Sequence, residues 1–303
     1  MITSEYSIPV NMNTDKIISH FGDEFYQSLL TMLAEYREEW ELDNLKQIDY
    51  YSVNCLFKCT SKRHGECVLK IGKSSDEAQA EYNALSEYAG SWFCRVYEAD
   101  ISNGALLIEQ IIPGAQLRAV SDIEKRLDLF CGVFVGLHKQ PSDKSKYPTY
   151  MGWVTRIAAF MRDKTDFREL SDHMNEAEKI CRDLCGKYTG EMLLHGDFHH
   201  DNILLGGDNQ YHIIDPKGVV GDRVFDIPRF ILNEFEDDIK EGFNEKYLYI
   251  IETLSKKLSV PKIDLLRLVY VEMCMANSWC VESDEKPNMK DVEFTRSMMS
   301  CDN

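Results

Sequence analysis

The apolar and polar positions divide the chain into a front part of mixed helix and strand periods and a long helical remainder. Over residues 14–42, Phe21, Phe25, Leu29, Met32, Leu33, Tyr36 and Trp40 recur at helical spacing and predict one amphipathic packing helix. Over 45–71 the pattern turns to short β-rich runs. KQIDYY, CLFKCT and ECVLKI predict three strands, with a turn at 61–65 between the second and third. Ser74 and Glu77 form a Ser-x-x-Glu capping box. It opens a helix with an apolar stripe of Ala78, Tyr82, Leu85 and Ala89, closed by Gly90. FCRVYEAD (93–100) and GALLIEQII (104–112) predict a strand pair around Ser102-Asn103-Gly104.

Five strands with one inserted helix thus end at Pro113-Gly114, a natural boundary between a lobe over 1–112 and a second over 113–303. Past it the pattern is helical. Ser121 with Glu124 is a second capping box, opening a helix to about Lys139. Further helices are expected at about 152–164, 171–187, 225–240, 243–258 and 262–282. Between two of them, ILL (203–205) and YHIID (211–215) flank a Gly206-Gly207-Asp208-Asn209 turn, a hairpin that delivers Asp215 at its end. The expected class is α+β: a five-stranded antiparallel amino-terminal sheet, then a mostly helical lobe.

Composition narrows the function classes. A length of 303 residues suits two core-forming units, and 44% hydrophobic with 28% charged residues is ordinary for a globular chain. The longest uncharged apolar run, 129–137, is too short to span a membrane, and the first residues show no secretory pattern, so a cytoplasmic protein is expected. None of the ten cysteines stands in a CxxC pair, and they are read as reduced thiols. A net charge of −17 argues against nucleic acid or an acidic membrane as partner, because phosphate contacts need clustered Lys and Arg. It suits a cationic small molecule, and equally plain solubility.

The candidate chemistry sits in LLHGDFHHDNILLGGDNQYHIIDPKGVVGDRVFD, residues 193–226. Phosphoryl transfer needs an aligned acceptor hydroxyl and neutralised phosphates rather than covalent help. Asp197 on a loop can accept the hydroxyl proton; Asn202, five residues on, and Asp215 can bind Mg2+ through hard oxygens. Upstream, Lys70 lies near the end of the third strand and Glu81 on the following helix, in the order needed to hold phosphates through a lysine–glutamate pair. Lys70 also reads as the solvent-facing member of an alternation, and Glu81 as a surface glutamate. His195 and His199 are four apart, but Gly196 and the strand-like Leu193-Leu194 argue against a zinc helix. Two acidic runs, Glu234 with Glu236, Asp237 and Asp238, and Glu282 with Asp284 and Glu285, offer carboxylates for the amines or guanidinium groups of a cationic acceptor, or simply solvated faces.

His195-Gly196-Asp197-Phe198-His199-His200-Asp201-Asn202 matches HGDxHxxN, and the chain resembles the aminoglycoside phosphotransferase family. HGDFHHDNIL with IDPKGVVGDRVFD is most similar to its streptomycin and hydroxyurea kinase branch. The resemblance implies a two-lobed protein-kinase-like fold and an ATP- and Mg2+-dependent kinase, with GTP as the alternative nucleotide, phosphorylating a hydroxyl of an aminoglycoside-type antibiotic. It implies Asp197 as catalytic base or hydroxyl-orienting group, Asn202 and Asp215 as Mg2+ ligands, and Asp226 as a brace beneath the loop. It places adenine against the backbone of Glu109 and Ile111 at a 109–113 hinge, behind which lies Ile108. The loop over the phosphates would be Tyr51-Ser52-Val53-Asn54, which lacks the glycines of a protein kinase and offers Ser52 or Asn54 as contacts. Lys217 could touch the transferred phosphate or stand exposed. The same scaffold suits choline-, homoserine- or methylthioribose-type acceptors, and a catalytically inactive nucleotide-binding module is the reading from another class.

Overall fold

The computed structural model describes residues 12–48, 53–73, 75–235 and 243–300. Ser52, the Ser74 cap and Glu236, Asp237 and Asp238 lie outside them. The chain forms two compact units: Met1–Gly114 with Leu205–Ile214, and Ala115–Leu204 with Asp215–Asn303.

In the first unit, the single helix expected over 14–42 is two, α1 (Thr14–Phe21) and α2 (Asp23–Glu39). Gly22 separates them at φ 90°, and Asp23 and Glu24 then face the positive end of α2. Their apolar faces still share one core. Ile17, Phe21, Leu29, Leu33 and Tyr36 pack on Cys55, Phe57 and Cys59 of one strand and Cys67, Leu69 and Ile71 of the next.

Those strands belong to an antiparallel sheet of order β1-β2-β3-β5-β4. Its members are β1 (Leu42–Gln47), β2 (Asn54–Ser61), β3 (Gly65–Gly72), β4 (Val96–Asp100) and β5 (Ala105–Glu109). The first strand begins earlier than KQIDYY, because the left-handed Glu41 (φ 53°) turns the chain straight out of α2. Alternation in β3 sends Cys67, Leu69 and Ile71 to the helical face and leaves Lys70 on the other. There α3 (Ser75–Tyr88) crosses, burying Ala78, Ala84, Leu85 and Tyr88.

The hairpin turn between β8 (Ile203–Gly206) and β9 (Tyr211–Ile213) also belongs to this unit. Cys94 donates its N–H to the Ile213 carbonyl at 2.9 Å, and Ile213 donates to Trp92 at 2.8 Å. The turn closes where Gly206 N–H donates to the Gln210 carbonyl, with Asn209 left-handed at φ 60°. A short strand β6 (Pro113–Gln116) follows β5.

The second unit is mostly helical: α4 (Ile123–Leu137), α5 (Tyr150–Arg162), α6 (Arg168–Lys187), α7 (Ile227–Asn233), α8 (Phe243–Leu258), α9 (Lys262–Glu282) and α10 (Met289–Met298). The cap of α4 is Asp122 rather than Ser121; its carboxylate accepts the Lys125 N–H at 3.1 Å. α7 is shorter than the run expected over 225–240, and a 3-10 turn at Arg223–Asp226 precedes it. α9 is the central element, packed by α5, α6, α7, α8 and α10. It is apolar nearly all round, with Leu265, Leu266, Leu268, Val269, Tyr270, Val271, Cys274 and Met275 buried. A two-stranded ribbon pairs β7 (Met192–Leu194) with β10 (Val219–Gly221), Leu194 opposite Val219. No helix among the described residues is long and apolar enough to cross a membrane.

Candidate active site

The β7/β10 ribbon brings the two ends of segment 195–218 together, so HGDFHHDN leaves the rim of a fixed frame. Beneath it lies Asp226, a buried carboxylate. Its Oδ2 accepts the His195 N–H at 2.8 Å and its Oδ1 the Gly196 N–H at 2.8 Å. The imidazole of His138 contacts Oδ2 at 2.9 Å. One side chain therefore satisfies two backbone donors of the loop and an imidazole. The loop is tied at its other end as well, where Lys217 N–H donates to the His195 carbonyl at 2.7 Å. Gly196 takes φ 80°. A Cβ there would stand 2.9 Å from Trp153 Cη2 and 3.2 Å from Lys217 Cβ, so glycine is required twice over.

Asp197 follows, fixed by its N–H to His195 Nδ1 at 3.1 Å. Its Oδ1 accepts Arg229 Nε at 2.7 Å, and its Oδ2 faces His199 Nε2 at 3.6 Å. Burial pushes the Asp197 carboxyl up. His199, Arg229 and Lys217 outweigh it and hold the carboxyl well below the usual carboxylate range. Arg229 lies in turn 3.6 Å from Glu272 Oε1, and Tyr150 donates its hydroxyl to Glu272 Oε2 at 2.9 Å. Burial raises the Glu272 carboxyl against the pull of Arg229 and Tyr150. Arg229 is thus held between two carboxylates, with its guanidinium 5.6 Å from the ring centroid of Trp279.

Asn202 ends the 3-10 turn His200–Asn202. Its Nδ2 donates to the Asp197 carbonyl at 3.0 Å, which leaves Oδ1 to act as a ligand. Asp215 sits two residues past β9 at φ 61°, and Lys217 Nζ donates to its Oδ2 at 3.0 Å. Asn202 and Asp215 are hard oxygen donors in one unit. That donor chemistry fits Mg2+, which is held by one or two side-chain oxygens together with substrate phosphates and water.

The same loop is anchored sideways. His200 contacts Glu234 Oε1 at 2.7 Å, and Arg126 grips both oxygens of that carboxylate at 2.5 and 2.6 Å. Burial raises the Glu234 carboxyl, but His200 and Arg126 outweigh it and bring it down to about 2. Arg118 clamps Asp201 at 2.8 and 3.0 Å. Glu234 is therefore a buried strut of the loop and not an open carboxylate for an amine. Glu282 of the second acidic run is bound by both terminal nitrogens of Arg156, at 2.6 and 3.1 Å.

In the other unit, Lys70 is buried and donates Nζ to both oxygens of Glu81 at 2.6 Å; Glu77, on the capping turn, is exposed. Of the two readings of Lys70 on sequence, the solvent-facing one does not hold. Glu109 closes β5, its N–H donating to the Arg95 carbonyl at 2.8 Å and its Oε2 accepting the Arg95 N–H at 3.1 Å. Ile111 and Ile108 are buried beside it.

Sequence reasoning missed Arg229, Glu272, Tyr150, Trp153 and Trp279. One signal existed: Glu272 is a lone carboxylate in the apolar run VYVEMCM, which demands a buried partner.

Residues 40–284 match the family model described as aminoglycoside/hydroxyurea antibiotic resistance kinase. A streptomycin 6-kinase from Streptomyces glaucescens is 21% identical over 230 residues, covering 73% of each chain. A hydroxyurea phosphotransferase from Kitasatospora aureofaciens is 25% identical over 223 residues, covering 71% of this chain and 64% of the relative. Among solved structures, a choline kinase from Streptococcus pneumoniae superposes with a TM-score of 0.64 at 15% identity, over 91% of this chain and 99% of its own; it shares the two-lobed kinase-like fold. A match spanning most of the chain, including HGDFHHDN and Asp215, places the protein among the phosphotransferases of the aminoglycoside/hydroxyurea antibiotic resistance kinase family.

Proposed function

We propose that the protein transfers the γ-phosphoryl group of ATP, with Mg2+, to a hydroxyl of a small aminoglycoside-type acceptor in the cytoplasm. The observation that carries this reading is Asp197. It is a carboxylate kept ionised by His199 and Arg229, on a loop immobilised by Asp226 and followed by Asn202 at the end of the next 3-10 turn. Its charge is spent on holding and orienting an acceptor O–H, since an acid this strong is a weak proton acceptor until the transferring bond is nearly made. GTP is the alternative donor.

The remaining roles follow the same reading. Asn202 and Asp215 would hold Mg2+, which when bound neutralises phosphate charge. Lys70, oriented by Glu81, would contact the phosphates. Glu109 and Ile111 would present backbone to the base, and Ser52 would contact phosphate. The lobe over 1–112 would then be the nucleotide-binding one, and 113–303 would carry catalysis and acceptor recognition. The streptomycin and hydroxyurea relatives support the acceptor class.

The test is phosphate transfer from radiolabelled ATP to a panel of streptomycin, other aminoglycosides, hydroxyurea, choline and homoserine. Turnover of an aminoglycoside, abolished by Asp197→Ala, is expected. Turnover of choline or homoserine alone would move the chain to a metabolite kinase. Nucleotide binding without transfer to any acceptor would make it a binding module.

A further inference from the structure

We propose that Trp153 and Trp279 form the wall on which a planar guanidino or ureido group of the acceptor stacks beside Asp197. This rests on the phosphotransferase reading and adds what recognises the acceptor.

The two indoles come from different helices of one unit, Trp153 onto the catalytic loop and Trp279 onto Arg229. Trp153, in the first turn of α5, lies so close over Gly196 that a Cβ there would meet its ring at 2.9 and 3.2 Å. Trp279, near the end of α9, stands edge-on to it, with ring centroids 6.3 Å apart at 85°. Arg229 joins them to the chemistry, since it binds Asp197 Oδ1 at 2.7 Å while its guanidinium lies over Trp279. Both tryptophans are half-buried. Among the described residues neither indole N–H is engaged in a hydrogen bond. A half-buried large aromatic beside a candidate reacting carboxylate is placed to bind.

Charge decides what it binds. The carboxylates nearest in sequence reasoning to an amine site, Glu234 and Glu282, are taken by Arg126 and Arg156. The indole faces beside the catalytic loop attract delocalised cations and stack flat on trigonal groups. The site already holds one such group, the guanidinium of Arg229 on Trp279. The acceptors named for the relatives share this element: streptomycin carries guanidino groups, and hydroxyurea is itself a ureido group. A trigonal carbon bonded to nitrogen is common to both, whereas size and charge are not.

The experiment is steady-state kinetics of the full chain with streptomycin, hydroxyurea and kanamycin, which carries amines but no guanidino group. Trp153→Leu keeps apolar bulk and removes the π face; Trp153→Phe restores a π face. Trp153→Leu is expected to raise the streptomycin KM about tenfold, the scale of one desolvated cation–π contact, and the hydroxyurea KM by less, because a neutral ureido group stacks without the charge. The larger part of the loss should appear in that KM rather than in kcat, and the KM for ATP should not move. Trp153→Phe should recover most of it. A streptomycin KM within twofold of wild type in Trp153→Leu, or an equal loss for kanamycin, would overturn the proposal. Should the wild type turn over no acceptor at all, the phosphotransferase reading falls by itself. Titration of streptomycin against tryptophan emission, wild type beside Trp153→Leu, then still decides: a quench confined to the wild type supports the wall, and equal or absent quenching in both sinks it.

Discussion

Removing the carboxylate of Asp226 is the perturbation with the most to say about how this loop is held. It is 2% exposed and accepts from His195 N–H, Gly196 N–H and the His138 imidazole, all at 2.8–2.9 Å. Asp226→Ala strands two backbone donors and an imidazole in a buried position. A hydrogen bond to a charged group contributes ~1.5–3 kcal/mol, and deleting one partner of a buried charged set costs ~3–5 kcal/mol. The unit should melt roughly 6–20 °C lower by calorimetry. Asp226→Asn keeps one acceptor oxygen but turns an amide N–H toward a backbone N–H, so about half the loss is expected. The second readout is turnover. A loop misplaced by an ångström costs on the order of 10²-fold in kcat, so Asp226→Asn should lose kcat well beyond what its melting shift explains at assay temperature. An Asp226→Ala variant that melts within 1 °C of wild type, or an Asp226→Asn variant with wild-type kcat, would refute the bracing argument.

Other expectations follow from the same geometry. Lys70→Met leaves Glu81 buried without its ammonium, and should lower stability by ~3–5 kcal/mol in urea titration; the double variant Lys70→Met, Glu81→Leu should recover most of that, since apolar replacement of a whole buried pair is near neutral. Gly196→Ala forces a left-handed alanine against Trp153, and should cost about 1–3 kcal/mol and at least tenfold in turnover. Glu234 is depressed in the folded state, to about 2 from 4.5, so its contribution is full above pH 4.5 and is lost as pH falls toward 2. Unfolding free energy measured over that window should slope downward with acid in the wild type and less in Glu234→Gln. Asp197 is likewise depressed, so the acid limb of kcat/KM should not be its own in the wild type, and should rise toward the ordinary carboxylate range in Arg229→Met.

The sheet was legible because alternation and turn residues are local signals. The break in the first helix was missed although Gly22 and two acids mark it, because a continuous apolar stripe concealed it: both helices present the stripe to one core. α10 (Met289–Met298) was not legible, since only Val292, Thr295 and Met298 are buried and its support comes from α9. At the site, Asp197, Asn202 and Asp215 could be found by spacing alone. Arg229, Glu272, Tyr150 and the two tryptophans could not, because what makes them part of the site is contact across 32 to 122 residues of chain. Glu234 of the first acidic run was misplaced for the same reason. A carboxylate surrounded by acids in sequence turned out to be surrounded by Arg126, His200 and Lys246 in space.

The charges around Asp197 account for one another in a way that bears on chemistry. A guanidinium between two carboxylates neutralises at most one of them, and burial leaves Glu272 the less acidic partner, its carboxyl raised despite Arg229 and the Tyr150 hydroxyl. Asp197 has Oδ1 committed to Arg229 and Oδ2 turned toward His199, and on the proposed function Oδ2 would be the oxygen that meets an acceptor hydroxyl. A stronger base in that position would need a weaker grip from Arg229, and would lose the fixed direction of Oδ2 that alignment with a phosphate requires. Where the bond to the leaving group breaks early, alignment contributes more than basicity. On the proposed function, the grip of His199 and Arg229 that lowers the Asp197 carboxyl would thus be what suits it to orient a hydroxyl for phosphoryl transfer.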